Sequence, residues 1–113
     1  MTTTFCIAVD GKLAGSIGVT LRDDVYRKTA ELGYFIGEEY WGQGIATEAI
    51  KQMVKYVQKK FDLVRIDADV FEFNKASMRA LEKNGFHLES IRKKAAFKNN
   101  IIVDDYVWVK LFA

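Results

Sequence analysis

The sequence predicts a single α/β domain over residues 1–113, built on a mixed, mostly antiparallel sheet with two main helices. Two periodicities lead to this fold class: apolar residues alternate in several short stretches, and recur at spacings of three and four in two longer ones. The resulting order is three strands, a helix, a strand, a helix and two strands. Half of the residues are hydrophobic and 28% are charged, which is typical of a globular domain.

The first three strands are predicted to form an antiparallel meander. Phe5–Val9 and Leu13–Leu21 flank the dipeptide Asp10-Gly11, a hairpin signal because both residues tolerate positive φ. After a charged loop, Thr29–Gly37 forms the third strand. The apolar face of this strand consists of Ala30, Leu32, Tyr34 and Ile36.

An amphipathic helix then covers Gly44–Lys60, where the apolar residues follow a helical period. The helix is long enough to cross back over the sheet. The following strand, Val64–Val70, is therefore expected to lie parallel to its predecessor.

A second, shorter helix is expected to begin after Asn74 and to run to about Asn84. Asparagine is a favoured residue at helix N-termini, and Gly85 suits the position that follows a helix. Phe86–Phe97 and Ile101–Phe112 then form a final pair of strands around the turn Lys98-Asn99-Asn100.

Composition and charge argue against several classes of function. The net charge is only +2, so nucleic-acid binding is not expected. No apolar run reaches the roughly 20 residues that cross a bilayer, and no signal peptide is evident, so no membrane partner is expected. The single cysteine, Cys6, lies in an apolar run and is predicted to be a buried, inert thiol. One unpaired cysteine favours a reducing, cytoplasmic setting.

The strongest chemical signal is the segment Trp41–Thr47, which joins a strand to a helix. Gly42 and Gly44 lack a Cβ, so a ligand can approach the backbone closely. The first N–H groups of a helix have no internal partner, and the helix dipole favours an anion there. The pattern predicts a pyrophosphate site; the alternative is a tight strand-to-helix turn without a ligand. A P-loop is excluded because Gly-Lys-Ser/Thr is absent.

Three ordered segments resemble the GNAT superfamily of N-acetyltransferases, and are most similar to its Rim-type ribosomal-protein branch. Trp41-Gly42-Gln43-Gly44-Ile45-Ala46-Thr47 resembles the acetyl-CoA pyrophosphate loop, with Trp41 standing where the family usually has Gln or Arg. The segment from Asn74 to Phe86 resembles the branch's Asn-x-x-Ser helix ending in Gly-Phe, and Ala30–Ile36 resembles its central strand.

The resemblance implies that acetyl-CoA is a co-substrate, that an amine is the acceptor and that no metal is needed. It implies that backbone groups around residues 35–37 bind the pantetheine arm and supply an oxyanion donor. Asn74 is implied to contact the pantetheine and Ser77 to protonate the leaving thiolate, although capping alone also explains Asn74. The implied cofactor-binding residues are Phe35, Ile36, Gly37, Trp41, Gly42, Gln43, Gly44, Ile45, Ala46, Thr47, Asn74 and Ser77.

Glu31 is the candidate general base, acting directly or through a water molecule. It lies in a strand that otherwise predicts burial, and alternation places it with Gly33 and Phe35, away from the apolar face. A carboxylate in such a place usually has a partner or a task. The segment also resembles strands of histone-type GNAT enzymes in which a glutamate is the base. The alternative is a glutamate in a structural salt bridge. Some Rim-type enzymes carry a glutamate where Ala96 stands here, and alanine cannot transfer protons.

The family usually has a further strand and one or two helices before the position of Phe5, so an open sheet edge is expected. This predicts a homodimer or a partner-dependent fold. The leading functional hypothesis is acetyl transfer to a protein or peptide amine. A polyamine or amino-sugar acetyltransferase and a non-catalytic CoA-binding module are the alternatives.

Overall fold

A computed structural model describes residues 2–112, which form one six-stranded sheet and two α-helices. The elements in chain order are β1 (Thr2–Val9), β2 (Lys12–Leu21), β3 (Thr29–Ile36), α1 (Ile45–Lys60), β4 (Arg65–Phe71), α2 (Lys75–Lys83), β5 (His87–Lys98) and β6 (Ile101–Leu111). The predicted order of strands and helices is confirmed, and the predicted bounds differ by three residues at most.

The strands lie in the order β1-β2-β3-β4-β6-β5. The meander β1-β2-β3 is antiparallel, and β4 pairs with β3 in parallel, as predicted. The last hairpin inserts β6 between β4 and β5, with antiparallel pairing on both sides. The result is a mixed, mostly antiparallel sheet.

Both predicted hairpin turns use the left-handed backbone conformation. Asp10 and Gly11 have φ of 50° and 78°, and Asn99 and Asn100 have φ of 53° and 65°. Asparagine, aspartate and glycine occupy this region at lower cost than other residues, and two successive left-handed residues match the twist of the flanking strands. These turns set the register of the two hairpins.

Both helices pack against the same side of the sheet, which we call the helix face. The core lies there, between the apolar stripes of the helices and the apolar alternation of the strands. Among its buried members are Val19, Ala30, Leu32, Ile50, Val57, Ile66, Leu81 and Trp108. We call the opposite side the helix-free face, because no helix of residues 2–112 contributes to a core there.

The parallel pairing of β3 and β4 is short. It joins Thr29–Glu31 to Arg65–Asp67, and beyond that point β3 pairs only with β2 and β4 only with β6. The carboxyl halves of the two strands therefore leave an opening in the sheet, which we call the strand gap. Both α1 and α2 begin at this end of the sheet, where α/β proteins usually bind ligands.

The prediction that Cys6 is buried is wrong, because its side chain is exposed. Cys6 pairs with Ser16 in β2, but β1 is the first strand of the sheet and has a neighbour on one side only. The apolar run predicts a strand correctly. It does not reveal that this strand is at the edge, where one face receives little cover.

Candidate functional site

The turn before α1 has the backbone conformation that its glycines predict. Gly42 and Gly44 both have φ of 75°, in the left-handed region that other residues rarely adopt. A Cβ built on either residue would meet no atom within 4 Å among the described residues. The space beside both glycines is therefore open, and a ligand can reach the backbone from that side.

The first turn of α1 offers amide groups to such a ligand. The first intrahelical hydrogen bond runs from the Glu48 N–H to the Gly44 carbonyl at 3.1 Å. The amides of Ile45, Ala46 and Thr47 precede it, and the N-cap position, Gly44, has no side chain to accept from them. Together with the dipole of a 16-residue helix, these amides form an electropositive end suited to phosphate.

Two side-chain hydrogen bonds hold the turn in place, and one of them reaches the end of β3. The Trp41 indole Nε1 donates to the Ile36 carbonyl oxygen at 2.8 Å, although most of the indole is exposed. The Gln43 Nε2 donates to the Glu39 carbonyl oxygen at 3.2 Å. Trp41 therefore has a structural contact that its position in the motif did not predict, since it holds the glycine turn at the mouth of the strand gap.

The three residues predicted to bind through their backbone point in different directions. The Gly37 N–H donates to the Ala14 carbonyl at 2.8 Å, so it faces β2 and is already engaged. Main-chain groups alternate along a strand, so those of Phe35 also face β2 and those of Ile36 face the strand gap. Among the three amides, the Ile36 N–H is the one directed at the gap.

Asn74 and Ser77 meet a third polar residue on the helix face. The Asn74 Oδ1 accepts a hydrogen bond from the Ser77 N–H at 3.2 Å and caps α2, as predicted. The Ser77 hydroxyl is hydrogen bonded to the hydroxyl of Tyr34 in β3. Burial raises the pKa of Tyr34, and the hydrogen bond with Ser77 opposes that rise. The apolar alternation places Tyr34 on the apolar face of β3 and predicts no further role for it.

Glu31 lies on the helix-free face, on the same side of β3 as Gly33 and Phe35. The expectation that it is buried is wrong, because its side chain is 55% exposed. The physical reason is that alternation buries one side of β3 under the helices and leaves the other side open. Glu31 borders a shallow groove of about 290 Å³, whose floor carries small and polar residues. The groove is lined in part by Thr4, Ser16, Gly18, Thr20, Gly33 and Phe35.

An ion-pair network extends beside Glu31 on the helix-free face. Arg22 donates two hydrogen bonds to Asp67, at 2.7 and 2.8 Å, and lies 3.7 Å from Glu31. The hydrogen bonds that Arg22 donates to Asp67 raise the pKa of Arg22, although burial opposes this. Arg65 connects Asp67, at 3.3 Å, to Glu89, at 2.6 Å. This geometry gives Glu31 an arginine neighbour, which is the contact expected of a structural glutamate as well as of an oriented base.

Glu31 and Ser77, the two predicted catalytic residues, are therefore not adjacent. They lie on opposite faces of the sheet, and the strand gap separates them. Two further residues escaped the sequence analysis. Arg22 was assigned to a solvated loop, although the charges that alternate with apolar residues in β4 pointed to a partner nearby. Asn84, predicted only as a helix end, donates to the Thr47 carbonyl at 3.0 Å and so ties α2 to the first turn of α1.

Two other properties concern residues 2–112 as a whole. No group of three or more histidine, cysteine or carboxylate side chains in this range has the arrangement of a metal site. No helix in it is long and apolar enough to span a membrane.

Comparison with known proteins gives consistent matches over most of the chain. A profile of the acetyltransferase (GNAT) domain matches residues 2–87. The chain is 38% identical over 100 residues to a probable N-acetyltransferase, YjcK of Bacillus subtilis, covering 88% of this chain and 55% of the relative. It is 33% identical over 109 residues to the ribosomal-protein-serine acetyltransferase of Escherichia coli, covering 96% and 58%. The chain thus spans little more than half the length of these relatives.

A solved structure extends the comparison to the fold. The microcin C7 self-immunity acetyltransferase MccE, in complex with acetyl-CoA and AMP, matches with a TM-score of 0.86 at 27% identity. The match covers 98% of this chain and 61% of that one. The sequence and structural matches together confirm the predicted resemblance and the predicted fold class.

Proposed function

We propose that this chain, which belongs to the GNAT acetyltransferase family, is a single-domain enzyme that transfers an acetyl group from acetyl-CoA to a primary amine of a protein or peptide. One observation carries the proposal. The first turn of α1, with its unbonded amides and left-handed glycines, lies at the mouth of the strand gap. An anion site at this point suits the pyrophosphate, and the gap suits the thin pantetheine arm.

The strand gap supports binding of the arm through the backbone. The main-chain groups of Tyr34 and Ile36 face the opening, because alternate residues of β3 are bonded to β2. An extended chain with amide groups can pair with such an edge as a strand would. We propose that the Ile36 N–H also donates to the oxyanion that forms during transfer. Its carbonyl accepts from Trp41, which keeps this stretch of backbone in place.

The opposite positions of Glu31 and Ser77 suit direct transfer. An amine that approaches from the helix-free face reaches the gap beside Glu31, where Gly33 leaves open space. The departing sulfur is then on the side of Ser77, at the start of α2. The amine nitrogen and the departing sulfur occupy different corners of the tetrahedral intermediate, so the base and the acid act at separate positions. We propose these two roles for Glu31 and Ser77.

The chemistry explains why a base is required. A lysine amine has a pKa near 10.4 and an α-amine near 7.7–8.0 in model peptides, whereas only the neutral amine attacks a thioester. A carboxylate at the entrance takes up the proton of the incoming ammonium group, directly or through water. The Arg22 guanidinium lies 3.7 Å from the Glu31 carboxylate and restricts its position.

A protein or peptide acceptor is favoured over a small amine for two reasons. The E. coli relative named above is a ribosomal-protein-serine acetyltransferase. The groove beside Glu31 is shallow and open, with a floor of small residues, which suits an extended peptide better than an enclosed polyamine or amino sugar.

The chain is also proposed to act as a homodimer in a reducing, cytoplasmic setting. The strand β1 is at one end of the sheet, and an apolar groove of about 440 Å³ separates it from α1. Residues lining this groove include Phe5, Ile7, Val9, Ala49, Met53 and Tyr56. An edge strand beside apolar surface favours association. The free thiol of Cys6 fits a compartment without disulfide formation.

A non-catalytic CoA-binding module is the second candidate. It is favoured by the exposure of Glu31 and by its contact with Arg22, because an exposed ion pair needs no catalytic role. A module of this kind would bind acetyl-CoA at the same site but would not catalyse transfer, so binding and turnover must be measured separately.

The test combines thermal unfolding with a thiol-release assay. Acetyl-CoA at a hundredfold excess over its dissociation constant should stabilise the chain by about 2.7 kcal/mol. Thiol release should then be measured with a peptide beginning with serine, a lysine peptide, spermidine and glucosamine. The proposal expects the highest kcat/KM with a peptide. Stabilisation without release for any amine favours the binding module, and no stabilisation contradicts the cofactor site.

A further inference from the structure

The contact between Tyr34 and Ser77 links the two sides of the strand gap on the helix face. Tyr34 belongs to the part of β3 that no longer pairs with β4, and Ser77 lies in the first turn of α2, which follows β4. Their hydroxyl groups are hydrogen bonded, and the Tyr34 hydroxyl also lies 3.5 Å from the Ser77 carbonyl oxygen. The phenol is half-buried, so few other hydrogen-bond partners are within reach of its hydroxyl.

The two hydroxyls differ greatly as acids. A thiol has a pKa near 8.5 and a tyrosine near 10, whereas a serine hydroxyl does not titrate in the accessible range. Proton transfer from serine to a thiolate is therefore strongly uphill unless the serine is supplied with another proton. Transfer from tyrosine is uphill by only about two pKa units. Burial raises the pKa of Tyr34, which keeps its proton in place at neutral pH.

We propose that Tyr34 is the proton source for the leaving thiolate and acts through Ser77, so that the two hydroxyls form a short relay. The inference rests on the proposed acetyltransferase function. It adds a positioning residue to that reaction, because Tyr34 touches Ser77 and not the reacting atoms. The relay crosses the mouth of the gap where the sulfur departs, and Asn74 fixes the serine end through the Ser77 amide.

Atoms and electrons balance in the proposed step. When the C–S bond of the tetrahedral intermediate breaks, its electron pair goes to sulfur. The sulfur takes the proton of the Ser77 hydroxyl, and the Ser77 oxygen takes the proton of Tyr34. The acceptor amine loses its proton to Glu31, which releases it to solvent, and the tyrosinate regains a proton from solvent. No oxidant, reductant or further co-reactant is needed.

The closing experiment compares Tyr34→Phe, Ser77→Ala and the double variant with the unaltered chain, by kcat, by KM for acetyl-CoA and by the pH profile. Each single variant should lose roughly 10²-fold in kcat, the low end for general acid catalysis, with KM for acetyl-CoA nearly unchanged. The double variant should be no slower than Ser77→Ala, because the effects on kcat of two substitutions in one relay are not additive. The fall of kcat above the tyrosine pKa should disappear in Tyr34→Phe.

Tyr106→Phe is the matched control, since Tyr106 is another half-buried tyrosine packed against the core on the helix face. It should retain kcat. A Tyr34→Phe chain with unchanged kcat, or losses that multiply in the double variant, overturns the relay alone. An unaltered chain that releases no thiol with any amine overturns the proposed function and the relay with it. If Tyr34→Phe unfolds, the pH profile of Ser77→Ala still decides, because the relay predicts that the alkaline fall of kcat is lost with the serine. A serine that acts without Tyr34 would lower kcat in this variant but leave the alkaline limb unchanged, which would overturn the relay.

Discussion

The two sides of the candidate site are built differently. On the cofactor side, the site consists mainly of backbone groups. These are the amides that begin α1, the left-handed glycines and the edge of β3 at the gap. Packed helices and specific hydrogen bonds from Trp41 and Asn84 hold that backbone. On the acceptor side, the helix-free face presents side chains, among them an exposed Glu31 and an arginine network.

This difference explains how each side responds to change. A site made of backbone tolerates most side-chain substitutions, but depends on residues that permit its conformation or fasten it. A site made of exposed side chains changes with single substitutions and places few demands on the fold. Variants on one side should therefore leave the function of the other side intact, and the predictions below test this separation.

The largest effect is expected for Glu31→Gln. If Glu31 is the base, kcat should fall by roughly 10²–10⁴, most strongly near neutral pH, where a lysine-like amine is almost fully protonated. Raising the pH supplies neutral amine and should restore part of the activity. The dissociation constant for acetyl-CoA should hardly change, because the cofactor is bound elsewhere. Steady-state kinetics at two pH values and calorimetric titration measure both quantities.

Glu89→Gln is the matched control for Glu31→Gln. Glu89 is also an arginine-paired glutamate, bonded to Arg65, but it lies in β5, away from the strand gap. The Glu89→Gln variant should keep the kcat of the unaltered chain. Near-unaltered turnover of Glu31→Gln at pH 7 would show that Glu31 is a structural ion-pair partner and that another residue or water accepts the proton.

An intermediate effect is expected for Asn84→Ala, on the cofactor side. Removing the amide takes away the hydrogen bond from Asn84 to the Thr47 carbonyl and loosens α2 from the first turn of α1. The dissociation constant for acetyl-CoA should rise about tenfold, which corresponds to about 1.4 kcal/mol, a typical value for a hydrogen bond between partly buried groups. The KM for the amine should stay within twofold. Gln58→Ala, on the exposed face of α1, is the control and should change neither.

The smallest effect is expected for Asp105→Asn on the helix-free face. Asp105 is only 7% exposed, and its Oδ1 has no hydrogen-bond partner among the described residues. Burial, together with the charge of Asp69, raises the pKa of Asp105. The folded chain therefore holds this proton to a higher pH than the unfolded chain, and the stability it contributes at low pH is lost as pH rises through the folded pKa.

Asp105→Asn removes that titration. The variant should be more stable than the unaltered chain at pH 7, by about 1 kcal/mol, and the difference should shrink as the pH is lowered toward 4. Urea unfolding at both pH values measures it, and acetyl-CoA binding should not change. A variant less stable at pH 7 would show that the ion pair with Arg92, at 3.4 Å, outweighs the cost of burial.

The sequence predicted the backbone parts of the site better than the side-chain parts. Periodicity and turn residues are local signals, so the order of elements, the Asp10-Gly11 and Asn99-Asn100 turns and the cap at Asn74 followed from them. Burial of Glu31 and Cys6 was predicted wrongly, because exposure depends on which strands lie at an edge and which face the helices cover. Ion pairs between residues that are distant in sequence, such as Arg22 and Asp67, were not predicted either.

Binding of acetyl-CoA at the first turn of α1 is tested by a matched pair of variants. Asparagine and aspartate have nearly the same shape and both tolerate the left-handed conformation of Gly44, so Gly44→Asn and Gly44→Asp differ chiefly in charge. Gly44→Asn should bind acetyl-CoA with a dissociation constant within about tenfold of that of the unaltered chain. Gly44→Asp should bind at least 10²-fold more weakly than Gly44→Asn at low salt, and the difference should narrow at high salt. Equal calorimetric affinity of the two variants would contradict an anion site at this turn.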